Sequence, residues 1–311
     1  MKTTKKNNYL LVDGEGLLYQ SFHKFKNLKT SSGLYSGAVF GFFKSLRNYL
    51  YRFNPDDVYV VFDNGHSKYR TDVLKTYKAH RKKFDVDYKT LNKQKAVILK
   101  FLKILRIKYV FDKDKEFNYE GDDYIAYLVL KYLPKKSKIV IVTADKDFNQ
   151  LLKGMQVKIY NPRKDTIIYE KTCMPLFGYK AKETVDYLSL VGDTSDDIPG
   201  YSSLGPIKTR KFLNTYGSIE KYLNQDQCLP DDKDHKKMRE CWNTNRKLID
   251  LKWFCNNYPL EKEKLPCVFI KKPINYKKFN LLVEKYQLNS FKDKLFTKVF
   301  DNQYKTTYYE D

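Results

Sequence analysis

Three short apolar runs stand out along the chain: Tyr9 to Val12, Val58 to Phe62 and Ile139 to Thr143. Each leads directly or almost directly into an aspartate, namely Asp13, Asp63 and Asp145. Runs that are continuously apolar, β-branched and this short predict strands buried on both faces. Between them, apolar residues recur at helical spacing over roughly 36–52, 89–105 and 120–133. Strands alternating with helices predict an α/β domain with a mostly parallel central sheet flanked by helices. Ligand sites of such sheets gather at the carboxyl ends of the strands, where these three aspartates fall.

After about residue 175 the strand signals thin out and a mostly helical region follows, interrupted by Pro199-Gly200, Gly205-Pro206 and Gly217. The expected division is an α/β core over 1–175 and a helical region over 176–311. Residues 224–236, with Gln225-Asp226-Gln227 and Pro230-Asp231-Asp232, read as an exposed loop between helices. Trp242, Trp253 and Phe254 read as core. The sequence carries no internal repeat, heptad array or low-complexity tail.

Charge narrows the partner. The 311 residues hold 59 Lys and Arg against 37 Asp and Glu, a formal charge of +22, which favours a polyanion over a neutral small molecule. Nucleic acid leads and an anionic membrane surface comes second, although an AT-rich genome would also swell the lysine count. The five cysteines are scattered, with no C-x-x-C pair to hold zinc and no disulfide framework. The apolar stretch after the lysine-rich N-terminus is too short for a signal peptide. No run approaches the roughly 18 residues of a membrane span. The expectation is a cytoplasmic protein without membrane attachment, in its own cell or in an infected host.

Nine acids then ask for an explanation: Asp13, Asp63, Glu120, Asp122, Asp123, Asp145, Asp147, Asp193 and Asp196. Singly, each has an ordinary reading as a helix cap, a first-turn acid or an Asx turn. Together they fall at strand ends and helix starts that one sheet edge would gather, and gathered carboxylates repel. Hard cations resolve the repulsion: Mg²⁺ or Mn²⁺ takes oxygen ligands, and two such ions about 4 Å apart clamp the attacking and leaving oxygens of a phosphodiester. Helical spacing puts Glu120 and Asp123 on one face, with Asp122 turned roughly 100° away.

Two basic stretches complete the pattern. Residues 68–100 hold eleven Lys and Arg against three Asp, with Tyr77, Phe84 and Tyr88 interleaved. That suits a single strand, whose bases stack on rings and whose phosphates follow cations. From Gly200 to Lys211 a glycine-bracketed turn enters a basic helix, whose free amides suit a phosphate oxygen. Neither a G-x-G-x-x-G nor a Walker motif is present.

In this order, Val12-Asp13-Gly14, Phe62-Asp63, Tyr69-Arg70 leading to Tyr77-Lys78-Ala79-His80-Arg81, Glu120-Gly121-Asp122-Asp123, Thr143-Ala144-Asp145-Lys146-Asp147, Gly192-Asp193-Thr194-Ser195-Asp196-Asp197-Ile198-Pro199-Gly200 and Leu204-Gly205-Pro206-Ile207-Lys208 resemble the structure-specific 5' nucleases. These comprise the flap endonucleases, the phage 5'-3' exonucleases and the 5'-nuclease domain of bacterial DNA polymerase I. The resemblance runs from about Tyr9 to Tyr222. It implies a PIN-like fold with a helical arch over about 66–105 and a helix-three-turn-helix motif over about 186–222. It also implies that the nine acids bind two or more Mg²⁺ or Mn²⁺ ions, and that Lys78 and Arg81 contact the scissile phosphate. Arg70, Tyr77, Lys82 and Lys83 would contact DNA from the arch. Gly200, Ser203, Gly205, Ile207, Lys208, Arg210 and Lys211 would grip duplex at the second motif, where a K⁺ held by backbone carbonyls is implied.

The implied reaction is hydrolysis of DNA at 5' flaps, 5' overhangs and nicked or branched duplex, leaving a 5'-phosphate and a 3'-hydroxyl. RNA primers in RNA/DNA hybrids are a further implied substrate, in replication or repair. A monomer acting as a separate polypeptide, of phage type, is expected; no clamp-binding pattern is legible in the tail. Three departures stand out: Gly121 replaces the usual alanine, Asp197 the usual asparagine, and Gln20 an arginine of the bacterial and some phage members, for which Lys24 is the nearest substitute. A PIN-type ribonuclease and a non-catalytic branched-DNA-binding protein are the alternatives. The first usually lacks the arch and second motif, and the second would lack acids that are present here.

Overall fold

The computed structural model describes residues 7–63, 65, 67–80, 87–112, 119–224, 233–261, 265, 267–268, 274–293 and 296–300. A seven-stranded sheet runs through its centre: β1 (Asn8–Asp13), β2 (Asp57–Val61), β3 (Lys108–Val110), β4 (Lys138–Val142), β5 (Val157–Asn161), β6 (Thr166–Ile168) and β7 (Cys267–Val268), in the order β6-β5-β4-β1-β2-β3-β7. The five inner strands are parallel, and the two edge strands pair antiparallel to their neighbours. In register, Leu11 lies opposite Tyr59 on one side and Ile141 on the other.

The helices are α1 (Gly14–Lys24), α2 (Gly37–Phe53), α3 (Lys68–Val73), α4 (Tyr88–Leu105), α5 (Gly121–Tyr127), α6 (Glu170–Phe177), α7 (Thr184–Val191), α8 (Pro206–Tyr216), α9 (Ile219–Leu223), α10 (Lys233–Ile249), α11 (Leu251–Asn257) and α12 (Tyr276–Lys285). Successive strand residues point to opposite faces, and two cores follow. Leu11, Tyr59, Val61, Ile139 and Ile141 pack with α5 and α11 on one face. Leu10, Val12, Val58, Val60, Val140 and Val142 pack with α2, α4 and α12 on the other. A smaller third core, with Leu190, Ile219, Leu223, Met238 and Trp242, holds α7, α9 and α10 together.

The α/β architecture is the one the apolar runs predict, and the packing adds detail within two of the expected ranges. Within 66–105, α4 buries Leu91, Val97, Ile98, Phe101, Leu102 and Leu105, so most of that helix is core and the range is not a free-standing arch throughout. The helical segments within 276–293 and 296–300 pack on the α/β core, where Phe279, Phe291, Phe296 and Phe300 complete the apolar face under α2 and α4. The short β3 and the edge strands carry too few residues for a strand pattern to register. Trp242 and Phe254 are buried and Trp253 is partly so.

Candidate active site

Asp13 ends β1 and caps α1, accepting from Gly16 N at 2.8 Å. A Cβ at Gly16 would fall on the Asp13 carboxylate, so any larger residue there would displace it. The other oxygen, Oδ2, accepts from Thr143 Oγ1 at 3.1 Å, just beyond β4. Parallel pairing of β1 with β2 and β4 sets Asp63 and Asp145 beside Asp13. Gly121 N donates to Asp63 Oδ1 at 2.9 Å and draws the start of α5 to the same edge. Lys95, on α4, donates to the Asp63 carbonyl at 2.5 Å and to Glu15 at 2.7 Å.

The loop after α7 supplies the remaining acids. Asp193 and Ile198 exchange backbone hydrogen bonds, both 2.9 Å. Gly192, at φ +78°, approaches Gly200 so closely that a Cβ would meet its nitrogen at 2.5 Å. Asp13, Asp63, Asp122, Asp145, Asp193 and Asp196 thus line one cavity of about 450 Å³. Asp147 adjoins it: its amide donates to Asp145 Oδ1 at 2.9 Å. Its own Oδ1 is buried without a hydrogen-bond partner among the described residues.

The crowding shows in the acidities. Burial pushes Asp13 up to about 6, with repulsion from Asp145 adding to it against the Gly16 amide. Burial and the Glu120 charge push Asp63 up to about 7 while Lys78 opposes them. Asp122 and Asp147 lie well above the usual carboxylate range, first through burial and then through repulsion, chiefly from Asp145. Asp145 is raised by enclosure and by Asp196 and Asp193, against the Asp147 amide. Its side chain stays open to water, so those interactions are the more screened. Asp193 is the exception. Burial would raise it, but Ser195 and Lys146, the latter at 3.2 Å, hold it below its ordinary value.

Beneath this basin lies a buried ion network. Arg70 Nη1 and Nη2 donate to the two oxygens of Asp123, both at 2.7 Å. Lys78 Nζ donates to Glu120 Oε2 at 2.8 Å and sits 3.7 Å from Asp196. Tyr77 Oη donates to Glu120 at 2.9 Å. Burial alone would raise Glu120, yet Lys78 and Arg70 hold it at about 2. Lys78 reaches the cavity wall from this network.

These contacts hold three of the expected site residues away from the cavity. Asp123 is fully buried, bound to Arg70 and not among the residues lining the cavity. Arg70, 2 % exposed, spends its fork on Asp123 and the Leu248 carbonyl rather than on DNA. Tyr77 is buried against Glu120 instead of offering a stacking ring. The shared face of Glu120 and Asp123 exists, but it points into the core, and Asp122 faces the cavity. Arg81, Lys82 and Lys83 lie outside the described residues. Gln20 lines the cavity and Lys24 does not; Arg163, which no sequence signal marks, lines it instead. Glu15 and Lys146 line it as well, and Lys95, in sequence an ordinary residue of an amphipathic helix, supports Asp63 from α4.

The second basic element is the turn between α7 and α8. Gly200, Ser203, Gly205, Lys208 and Lys211 are exposed, and Ile207 is 69 % exposed. Pro206 opens α8 at its first turn. Arg210 turns inward, packing on Gly178 and over the Tyr187 ring.

Comparison with known proteins now decides the family. A 5'-3' exonuclease N-terminal resolvase-like domain matches residues 8–178, and a 5'-3' exonuclease C-terminal SAM fold matches residues 179–266. The chain belongs to the 5'-3' exonuclease family. It is 33 % identical over 213 residues to a 5'-3' exonuclease of Aquifex aeolicus, covering 68 % of this chain and 71 % of that one. Thermostable DNA polymerase I of Thermus aquaticus is 35 % identical over 230 residues, 72 % of this chain but 26 % of the polymerase. A bacteriophage T5 flap endonuclease, solved as a pseudo-enzyme-product complex with DNA and metal ions, shares the fold at TM-score 0.66 and 18 % identity, covering 90 % of this chain and 99 % of that one. This member of the structure-specific 5' nucleases is therefore a hydrolase of the nuclease class. Among its described residues no helix is long and apolar enough to cross a membrane.

Proposed function

We propose that this 5'-3' exonuclease family member is a divalent-metal-dependent 5' nuclease, both exonuclease and flap endonuclease. Its substrates would be DNA with a 5' flap, 5' overhang or nicked or branched duplex, and RNA primers paired to DNA, in replication and repair. One observation carries the reading: six aspartates from strand ends, a helix start and a distant loop, with Glu15 beside them, line a single cavity.

The donors fit Mg²⁺ or Mn²⁺. They are all oxygen, burial and mutual repulsion raise Asp13, Asp63, Asp122 and Asp145, and one buried oxygen, Asp147 Oδ1, lacks a partner among the described residues. Among those residues no three His, Cys, Asp or Glu side chains close tightly enough to cage an ion unaided; an ion that keeps several waters does not require a cage. Asp13, Asp63, Asp122, Asp145, Asp193 and Asp196 would hold the ions, with Asp147 beside them. Bound there, such ions supply Lewis acidity and a water acidic enough to give hydroxide near neutral pH. Lys78, kept protonated between Glu120 and Asp196, presents fixed positive charge to the reacting phosphate. Glu120 positions Lys78. The exposed amides and lysines at the start of α8 suit the phosphates of the duplex, recognised by shape rather than base edges, with a K⁺ on the preceding loop's carbonyls part of the same proposal.

The test compares 5'-flap DNA, blunt duplex and single-stranded RNA, end-labelled, with Mg²⁺ and with chelator. Flap cleavage that needs the metal and leaves a 5'-phosphate supports the reading. Preference for RNA would favour a ribonuclease, and binding without cleavage a branched-DNA-binding protein.

A further inference from the structure

Parallel pairing of β4 with β5 places Val142 beside Tyr160. The chain leaving β5 therefore emerges at the same sheet edge as Asp145, one strand further out, about 4.8 Å. There it forms a short turn to β6. Asn161 Oδ1 accepts from the amides of Arg163 and Lys164 at 3.0 and 3.2 Å. Asp165 accepts from Tyr160 Oη at 2.9 Å and pairs with Arg52 of α2. The Tyr160 ring packs edge-on against Tyr49 at 5.8 Å. The turn is thus fixed at both ends, and its tip lines the cavity with Tyr19, Gln20, Pro162 and Arg163.

Arg163 is exposed, and its guanidinium makes no hydrogen bond or ion pair among the described residues. The other cations of this cavity are engaged, Lys78 with Glu120 and Lys146 with Asp193. A phosphodiester strand crossing a basin of carboxylates is repelled wherever no cation faces it. Its phosphates next to the cleaved one therefore need positive charge on the rim. A guanidinium offers a planar fork matched to two phosphate oxygens.

Resting on the nuclease reading above, we infer that Arg163 grips a phosphate of the cleaved strand adjacent to the scissile one, on the β5 side of the cavity. Arg163 then sets the register of the strand, and the acids and Lys78 act on the neighbouring linkage.

The experiment is single-turnover cleavage of 5'-flap DNA by the unaltered protein, Arg163→Gln, Arg163→Lys and Lys164→Gln. Lys164 shares the turn but does not line the cavity. Each protein also meets a substrate series in which one phosphate at a time is a neutral methylphosphonate. Arg163→Gln is expected to slow the unmodified substrate roughly ten- to hundredfold, the loss of one charge-assisted contact, with partial recovery in Arg163→Lys and none lost in Lys164→Gln. One methylphosphonate position should slow the unaltered protein yet leave Arg163→Gln no slower than it already is. Normal rates for Arg163→Gln, equal sensitivity of both proteins at every position, or a lowered melting temperature in Arg163→Gln would overturn the assignment. If the unaltered protein with Mg²⁺ cleaves none of the series, the nuclease reading itself fails.

Discussion

Asp122 and Asp123 are neighbours in sequence and opposites in role: Asp122 faces the cavity of carboxylates, while Asp123 is bound through both oxygens to Arg70 at 2.7 Å. A turn of about 100° between successive helical residues separates the two environments.

Substitution should separate them in the test tube. Asp122→Asn removes a crowded charge, so cleavage should fall at least a hundredfold with stability unchanged or raised. Asp123→Asn leaves the buried Arg70 with only Glu120, at 3.5 Å, as a charged partner, which costs up to about 3–5 kcal/mol, read by urea denaturation. Equal stability of the two variants would contradict the opposed roles.

Divalent ions should stabilise the protein by mass action, by about 2.7 kcal/mol at a hundred times the dissociation constant. Differential scanning calorimetry with Mg²⁺ and with Ca²⁺ against chelator measures this. Asp145→Asn should blunt the gain and abolish most cleavage while retaining affinity for flap DNA. A melting temperature indifferent to the metal would remove the carboxylate cavity from consideration as an ion site.

Lys78→Ala should slow single-turnover cleavage about a hundredfold, in the range of losing one preorganised charge, with a much smaller change in affinity. Since buried Glu120 loses its lysine partner and keeps only Tyr77, Ser67 and Arg70, a drop in stability accompanies it. Equal losses in rate and binding would make Lys78 a docking residue only.

If about five phosphates are neutralised, the logarithm of affinity should fall with the logarithm of salt at a slope near −4.5. Fluorescence anisotropy over a salt series supplies the number. A flat response would contradict the role given to the basic surfaces.

Cys173 is fully buried and its thiol is pushed up to about 12, by burial first and then by Glu183. The shift is upward, so the reactive thiolate is scarce: about one in ten thousand at pH 8, rising tenfold per pH unit. Peptide mapping after iodoacetamide should find Cys173 unlabelled in folded protein at pH 8 and labelled in urea. Rapid labelling of the folded chain would show the region opens.

Local pattern reached a long way here. Continuous apolar runs ending in Asp13, Asp63 and Asp145 were enough to place those acids at one sheet edge, since strand burial and the carboxyl-end rule depend only on short-range sequence. Asp193 and Asp196 joined them through their resemblance to a family motif.

Which way each side chain faces was decided elsewhere. Helical spacing grouped Glu120 with Asp123 but was silent on whether that face met the cavity or the core. Docking of α5 against α3 and α11 settled it, and with it the conversion of Arg70 from an expected DNA contact into an internal partner. The same holds for residues 276–300, whose phenylalanines fill the face under α4, and for Arg163, which reaches the site only because β5 lies beside β4. Periodicity is a property of one segment. Burial, pairing of charges and access to the cavity are properties of two segments brought together, and only the tertiary structure brings them together.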